Sequence, residues 1–175
     1  MKKIVLLALL FVTALGADAQ EKMLTAYLGC DGQMSFILNM PSGSTVMTLS
    51  CDEPYLFRLT SPQGGWWKID EIWNAANDED TTSLVGSDTG EYWIHYSALS
   101  LGTSNYGGQE LHLRTAPDKN ADIVFSFTRE LALMPLDVHG DWVMVKVEGG
   151  YIGYDDVVGW IENEWLCSNP LTNCC

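Results

Sequence analysis

The chain has 175 residues, 9 of them basic and 23 acidic, for a formal charge of −14 and a pI near 4.3. With so few Lys and Arg to displace counterions from phosphate, this composition opposes binding to nucleic acid, anionic membranes and anionic cell-wall polymers. At 47% hydrophobic and 11% aromatic residues the chain is too apolar for a disordered acidic tail, and its length suits one ordinary domain or two small ones.

Lys2 and Lys3 precede an apolar run over 4–15, which passes into small residues ending Ala17-Asp18-Ala19 before Gln20. A basic end, a short apolar centre and an Ala-x-Ala site are the parts of a secretory signal peptide, and the run is shorter than the about 20 residues a membrane span needs. Residues 1–19 are therefore expected to be removed. That loss takes away Lys2, Lys3 and Asp18 and leaves 7 basic and 22 acidic residues, a net charge of −15. The expected product is exported, periplasmic or at the cell surface, without membrane insertion.

Cys30, Cys51, Cys167, Cys174 and Cys175 all lie in the exported part, where thiols usually oxidise. The expected pairs are Cys30 with Cys51 and Cys167 with Cys174, the adjacent Cys175 leaving the second pairing open by one residue. A zinc site would call for a Cys-x-x-Cys knuckle or close His partners; His95, His112 and His139 are scattered, so no metal is expected.

From there on apolar residues alternate or cluster in short runs separated by Gly, Pro, Asp, Asn and Ser, the pattern of strands and tight turns. Strands are predicted over 35–40, 45–50, 55–60, 66–73, 92–96, 110–114, 123–127, 131–136, 142–148 and 157–162. Leu99 to Leu101 and Asn163 to Leu166 read as short turns after a strand. The order of landmarks recurs. Gln63-Gly64-Gly65-Trp66-Trp67-Lys68-Ile69 corresponds to His139-Gly140-Asp141-Trp142-Val143-Met144-Val145, Tyr92-Trp93-Ile94 to Gly159-Trp160-Ile161, and Ala98-Leu99 to Trp165-Leu166. Such a repeat divides the exported part into two small β-barrels, over 20–104 and 105–175, joined through Gly102 to Gly108.

The second half resembles the bacterial SH3-like (SH3b) domain family. The family's opening Leu-Asn-Val-Arg, small residue and Pro is matched by Leu111-His112-Leu113-Arg114-Thr115-Ala116-Pro117. Its Gly-x-Trp-x-x-Val is matched by Gly140 to Val145, its closing Gly-Trp-Ile by Gly159-Trp160-Ile161, and its aromatic-Leu end by Trp165-Leu166. The first half reads as a divergent copy, with Asn39 in place of the Arg and Tyr92 in place of the closing Gly. The resemblance implies an all-β fold of two SH3-like barrels in tandem. Its landmarks are Trp93, Leu113, Arg114, Trp142, Gly159, Trp160 and Trp165. Trp93 and Trp160 are expected to fill a barrel interior or seal its end, and Arg114 to hold the neighbouring turn through its guanidinium.

No sequence pattern for catalysis is present: no nucleophile elbow, no zinc-protease helix and no phosphate loop. No cofactor is expected. The acidic groups Asp78-Glu79-Asp80 with Asp88, and Asp155-Asp156, lack the spacing of a calcium loop and read as solvated tips. The aromatics point to binding: Trp66, Trp67, Trp73 and Tyr96 are the candidate ligand-contacting residues. Strict strand alternation puts Trp67 and Trp73 on one face and Trp66 on the other. With no enzyme attached before Cys175, the expectation is a secreted, non-catalytic module for a cell-wall glycan or peptide stem, or for another exported protein. The alternative is a structural or regulatory subunit of a secreted or surface complex.

Overall fold

The computed structural model describes residues 23–29, 34–76, 90–148 and 156–169. The described part is all-β, with thirteen strands in one antiparallel network and two 3₁₀ turns. All ten predicted strands are present, with ends shifted by a few residues. Three strands were not expected: β1 (Leu24–Leu28), β7 (Leu99–Thr103) and the two-residue β13 (Leu166–Cys167), β7 and the start of β13 lying where the sequence reads as a turn.

The first set comprises β1, β2 (Ser35–Leu38), β3 (Thr45–Leu49), β4 (Tyr55–Gln63), β5 (Trp66–Asn74), β6 (Trp93–His95), a 3₁₀ turn (Tyr96–Ala98) and β7. The second runs from β7 through β8 (Leu111–Arg114), β9 (Ile123–Phe127), β10 (Ala132–His139), β11 (Trp142–Val147), β12 (Val158–Glu162) and a 3₁₀ turn (Asn163–Trp165) to β13 (Leu166–Cys167). The pairing scheme of one set repeats in the other. β2 pairs β3 and β6 as β8 pairs β9 and β12; β5 pairs β4 and β6 as β11 pairs β10 and β12. β1 pairs β4 and β7 as β7 pairs β10 and β13.

Register agrees as well as order. Trp66 faces His95 where Trp142 faces Glu162, and Leu38 faces Trp93 where Arg114 faces Trp160. Leu38, not Asn39, therefore occupies the place of Arg114. The hairpin glycines correspond too, Gly64 at φ 58° and Gly140 at φ 59°, a left-handed turn conformation that favours a residue without Cβ.

β7 belongs to both sets. Leu99 and Ser100 pair with β1, and Leu101 and Gly102 pair with β10. The segment after it is a buried corner: Thr103 and Asn105 are almost fully enclosed, Thr103 Oγ1 donates to Asn105 Oδ1 at 2.8 Å, and the Leu131 N–H donates to Thr103 Oγ1 at 2.9 Å. The core is likewise continuous across the halves, from Leu24, Phe57, Leu59 and Ile72 through Leu99 and Leu101 to Leu113, Val143 and Ile161.

Trp67 closes the seam. Its side chain is fully buried, and its indole N–H donates to the Pro135 carbonyl of β10 at 2.9 Å. Trp93 and Trp160 are buried but stand outside the contiguous core, which fits sealing rather than filling. Arg114 Nη1 donates to the Ala121 carbonyl at 2.8 Å and so holds the β8–β9 turn. Gly159 lies against β8, where a Cβ would come within 2.8 Å of Leu113 Cβ. Cys51 and Cys167 are each in a disulfide whose partner is not among the described residues; Cys30, Cys174 and Cys175, and with them the expected pairings, lie outside those residues.

Two stability outcomes follow from this packing. Trp67→Phe leaves the buried Pro135 carbonyl without its donor and should cost about 1–3 kcal/mol in urea denaturation, with both halves still unfolding in one transition; separate transitions would show that the seam does not couple them. Gly159→Ala should cost about 1–3 kcal/mol by the same measurement, because Leu113 is part of a packed core and cannot retreat freely.

Candidate functional site

β5 presents three tryptophans, and a bulge decides where each points. Ile69 pairs with Leu59 but Glu71 with Arg58, so Asp70 is an extra residue with no partner across the ladder. An inserted residue reverses the alternation beyond it. Trp67 and Ile69 face inward before the bulge and Ile72 after it, which turns Trp73 outward. The expectation that Trp67 and Trp73 share a face is thus corrected: Trp73 lies on the same side as Trp66, and Trp67 is opposite. Trp67 is also removed from any ligand surface, because it is buried in the seam.

Trp66 and Trp73 are separated by seven residues of strand, roughly 20 Å, so they do not form one platform. Trp73 pairs with Leu56, which pairs in turn with Tyr27 on β1. Trp66 lies at the other end of β5, where it meets His95 edge-on at 5.1 Å between ring centroids, and His95 in turn lies 4.5 Å from Tyr96. Of the four candidates the structure brings together Trp66 and Tyr96, with His95 between them. The cross-strand partner of His95, Trp66, becomes visible only with the register between β5 and β6.

His95 opens the first 3₁₀ turn. Ser97 N–H donates to His95 Nδ1 at 3.4 Å, and Ser97 Oγ lies 2.8 Å from the same nitrogen. An Nδ1 that accepts a backbone N–H carries no proton of its own, so the neutral ring holds its proton on Nε2. Gly65 at φ 87° lies against that edge: a Cβ there would be 3.3 Å from His95 Nε2 and from the Tyr96 ring, and the Gly65 carbonyl accepts the Tyr96 N–H at 2.9 Å. Partial burial holds the His95 pKa below the ordinary value of 6.5.

These residues form one wall of an open cleft of about 390 Å³. The opposite wall is the β2–β3 hairpin, through Met34, Phe36, Leu38 and Thr45; Ser97, Ala98 and Gly29 close the base. Among the described residues no Asp, Glu, Lys or Arg lines it. Phe36 is 54% exposed and Met34 63%, large values for such side chains, and the indole N–H of Trp66 has no partner among the described residues. The cleft thus offers an aromatic edge, a mobile thioether, and hydrogen-bond donors at the Trp66 and His95 rings.

The second set carries a cleft at the same place, about 180 Å³, lined by His112, Arg114, Trp142, Glu162 and Trp165 among others. By register Trp142 takes the position of Trp66, His112 that of Phe36, Arg114 that of Leu38 and Glu162 that of His95. Its polar groups are engaged within the chain: His112 Nδ1 with Ser126 Oγ at 2.8 Å, Arg114 with Ala121, and Glu162 with Lys119 at 2.7 Å. Among the described residues no group of His, Cys, Asp or Glu gathers as a metal site. The acidic residues Asp78 to Asp80, Asp88 and Asp155 lie outside the described residues, and Asp156 pairs with Lys146 at 2.6 Å.

No family model and no curated protein matches the chain. Among solved structures it is similar to NlpC1 from Trichomonas vaginalis, with 14% identity and a TM-score of 0.31 over 86% of this chain and 47% of that one. It is also similar to NlpC2 from Trichomonas vaginalis, with 14% identity and a TM-score of 0.30 over 83% and 48%. The chain spans about half the length of these proteins, and likeness at this level carries no argument about fold or function.

Protonating His95 would place a cation in an uncharged, partly enclosed aromatic wall. The unfolded chain takes up that proton first, so the stability contribution of His95 is complete above pH 6.5 and declines as the pH falls below it. Long-range ¹H–¹⁵N spectra should show the Nε2–H tautomer at neutral pH and a midpoint below 6.5; a midpoint above it would contradict the site as described.

Proposed function

We propose that the chain is an exported, non-catalytic binding module built from two SH3-like barrels, and that its ligand occupies the cleft between Phe36 and Trp66. The repeated pairing scheme and the landmarks of 111–117, 140–145 and 159–166 support the two-barrel reading. The observation that carries the binding reading is the cleft itself. Its volume of about 390 Å³ falls in the range of ligand pockets, and it keeps two large apolar side chains at the surface beside unengaged ring donors. Leaving Phe36 and Met34 in water forgoes the stabilisation that burial brings, and an occupant restores it.

The ligand class is a cell-envelope component, a neutral glycan or peptide stem, or a segment of an exported protein. The uncharged lining and the acidic surplus of the chain both disfavour polyanions. The same position in the second set also holds a tryptophan but is charged and about half the size, which favours the first set as the binding site.

A pull-down of the mature chain with purified peptidoglycan in about 0.15 M salt tests this reading. Retention is expected, and Trp66→Ala should weaken it by about tenfold, equivalent to about 1.4 kcal/mol. Trp73→Ala should leave it unchanged, as Trp73 lies roughly 20 Å away. No retention of the mature chain, or equal retention of Trp66→Ala, would sink the cell-wall assignment.

A further inference from the structure

The sheet has two ends, β3 and β9, and they are treated differently. Each pairs on one side only among the described strands, leaving backbone N–H and C=O groups of the other side without a strand. Open edges invite a further strand, and proteins usually guard them with charged side chains. The β8–β9 hairpin carries charge on β8, in its turn and at its ends, at Glu110, Arg114, Asp118, Lys119, Asp122 and Arg129, although β9 itself is uncharged and exposes Ile123 and Val124. The β2–β3 hairpin carries none. From Gly32 to Cys51 the sequence holds no Asp, Glu, Lys, Arg or His. In a chain that is 18% charged this is its longest such stretch after the signal peptide, and it coincides with the edge.

Its surface is apolar as well as uncharged. Met40 and Val46 are at least half exposed, in addition to Phe36 and Met34, and Thr48 is exposed opposite Phe36. Charge begins again immediately beyond β3. Asp52 and Glu53 are both exposed, with Asp52 held by Ser50 at 3.2 Å and Glu53 by Asn74 at 2.7 Å. The edge therefore reads as a strip: an uncharged apolar strand with two fixed carboxylates at its C-terminal end.

We infer that β3 is a docking edge for an extended segment of a partner protein, apolar and uncharged along its centre and carrying Lys or Arg at the end that lies beside Asp52 and Glu53. The missing guard charges supply the strand-addition mode, and the carboxylates supply the polarity and the sign. A second copy of this chain is the poorer occupant. Pairing β3 with itself in antiparallel fashion would bury the same uncharged strip but join two bodies of charge −14, with no basic end for either carboxylate pair. This surface adjoins the cleft, to which β3 contributes Thr45, but Val46 and Thr48 do not line the cleft and Trp66 is not on the edge.

Fluorescence polarisation tests the inference with a labelled pool of ten-residue peptides. These carry Val, Ile, Thr or Phe at the central positions and two Lys at one end; a second pool ends in two Glu. The mature chain should bind the Lys-ended pool with one-to-one stoichiometry and at least tenfold more tightly than the Glu-ended pool. Raising the salt should narrow that difference. The double variant Val46→Lys/Thr48→Lys should lose at least tenfold in affinity while its circular dichroism and urea midpoint stay close to wild type; if it is destabilised, Asp52→Asn/Glu53→Gln gives the same reading by abolishing the preference between pools. Trp66→Ala should bind as wild type, so a failure of the cleft reading and a failure here are told apart. The inference is overturned if neither pool binds, if the two bind equally, or if the edge charges change nothing. It is also overturned if the free chain sediments as a dimer that Val46→Lys/Thr48→Lys dissociates, because the occupant is then a second copy.

Discussion

The interaction on which the rest of this structure turns is the seating of Trp67 against β10. Either strand set by itself would bury little apolar surface. Here the two share one core: one large indole from the first set enters the seam fully buried, and its N–H is satisfied by the Pro135 carbonyl. Pro135 has no N–H of its own and precedes a register shift in the β10–β11 ladder. That is a position where a carbonyl can be spared for a partner outside its own hairpin. With β7 paired to both β1 and β10, and Thr103 and Asn105 hydrogen-bonded in the corner that follows, neither half can open at the seam without losing sheet pairing and core at once.

A rigid seam explains why the two copies could diverge so far on their surfaces. Register is preserved down to the partner of each closing tryptophan, yet four matched positions around the clefts differ in kind: Phe36 and His112, Leu38 and Arg114, His95 and Glu162, Gly65 and Asp141. In the second copy the polar side chains are engaged at the β8–β9 turn, Arg114 with the Ala121 carbonyl and Glu162 with Lys119. In the first copy the corresponding positions are apolar or aromatic and leave Phe36 in solvent. One copy has been tied off and the other left open.

Much of this was legible in the sequence because strands with one face buried advertise themselves by alternation, and the glycine and tryptophan landmarks fixed the repeat. β1 and β7 escaped for different reasons. Leu24-Thr25-Ala26-Tyr27-Leu28 alternates but is only five residues long and lies close behind the apolar run of the expected signal peptide, whereas Leu99-Ser100-Leu101-Gly102-Thr103 is buried on both faces where it joins the halves and shows no alternation. The faces of the tryptophans were misjudged because strict alternation was carried through Asp70. The signal was there: Trp67 and Ile69 are two apart, but the next inward residue, Ile72, is three further on, with Asp70 and Glu71 between. A step of three in a pattern of two marks an inserted residue, and one inserted residue was enough to move Trp73 to the outer face. Nothing local in the sequence could have paired His95 with Trp66, since that contact depends on register between strands separated by the long 75–92 connection.

Charge completes the argument. A surplus of acidic residues spread evenly would do no more than oppose self-association. It is not spread evenly: the β2–β3 hairpin, which contributes one wall of the cleft and one end of the sheet, carries none, and the corresponding hairpin of the second copy carries both signs. Repulsion between acidic bodies opposes association everywhere except at a strip that carries no charge, and an uncharged open edge is where a further strand can add. The two hairpins hold equivalent places in the pairing scheme, yet one carries charges of both signs and the other none, at the cleft wall and at the end of the sheet alike.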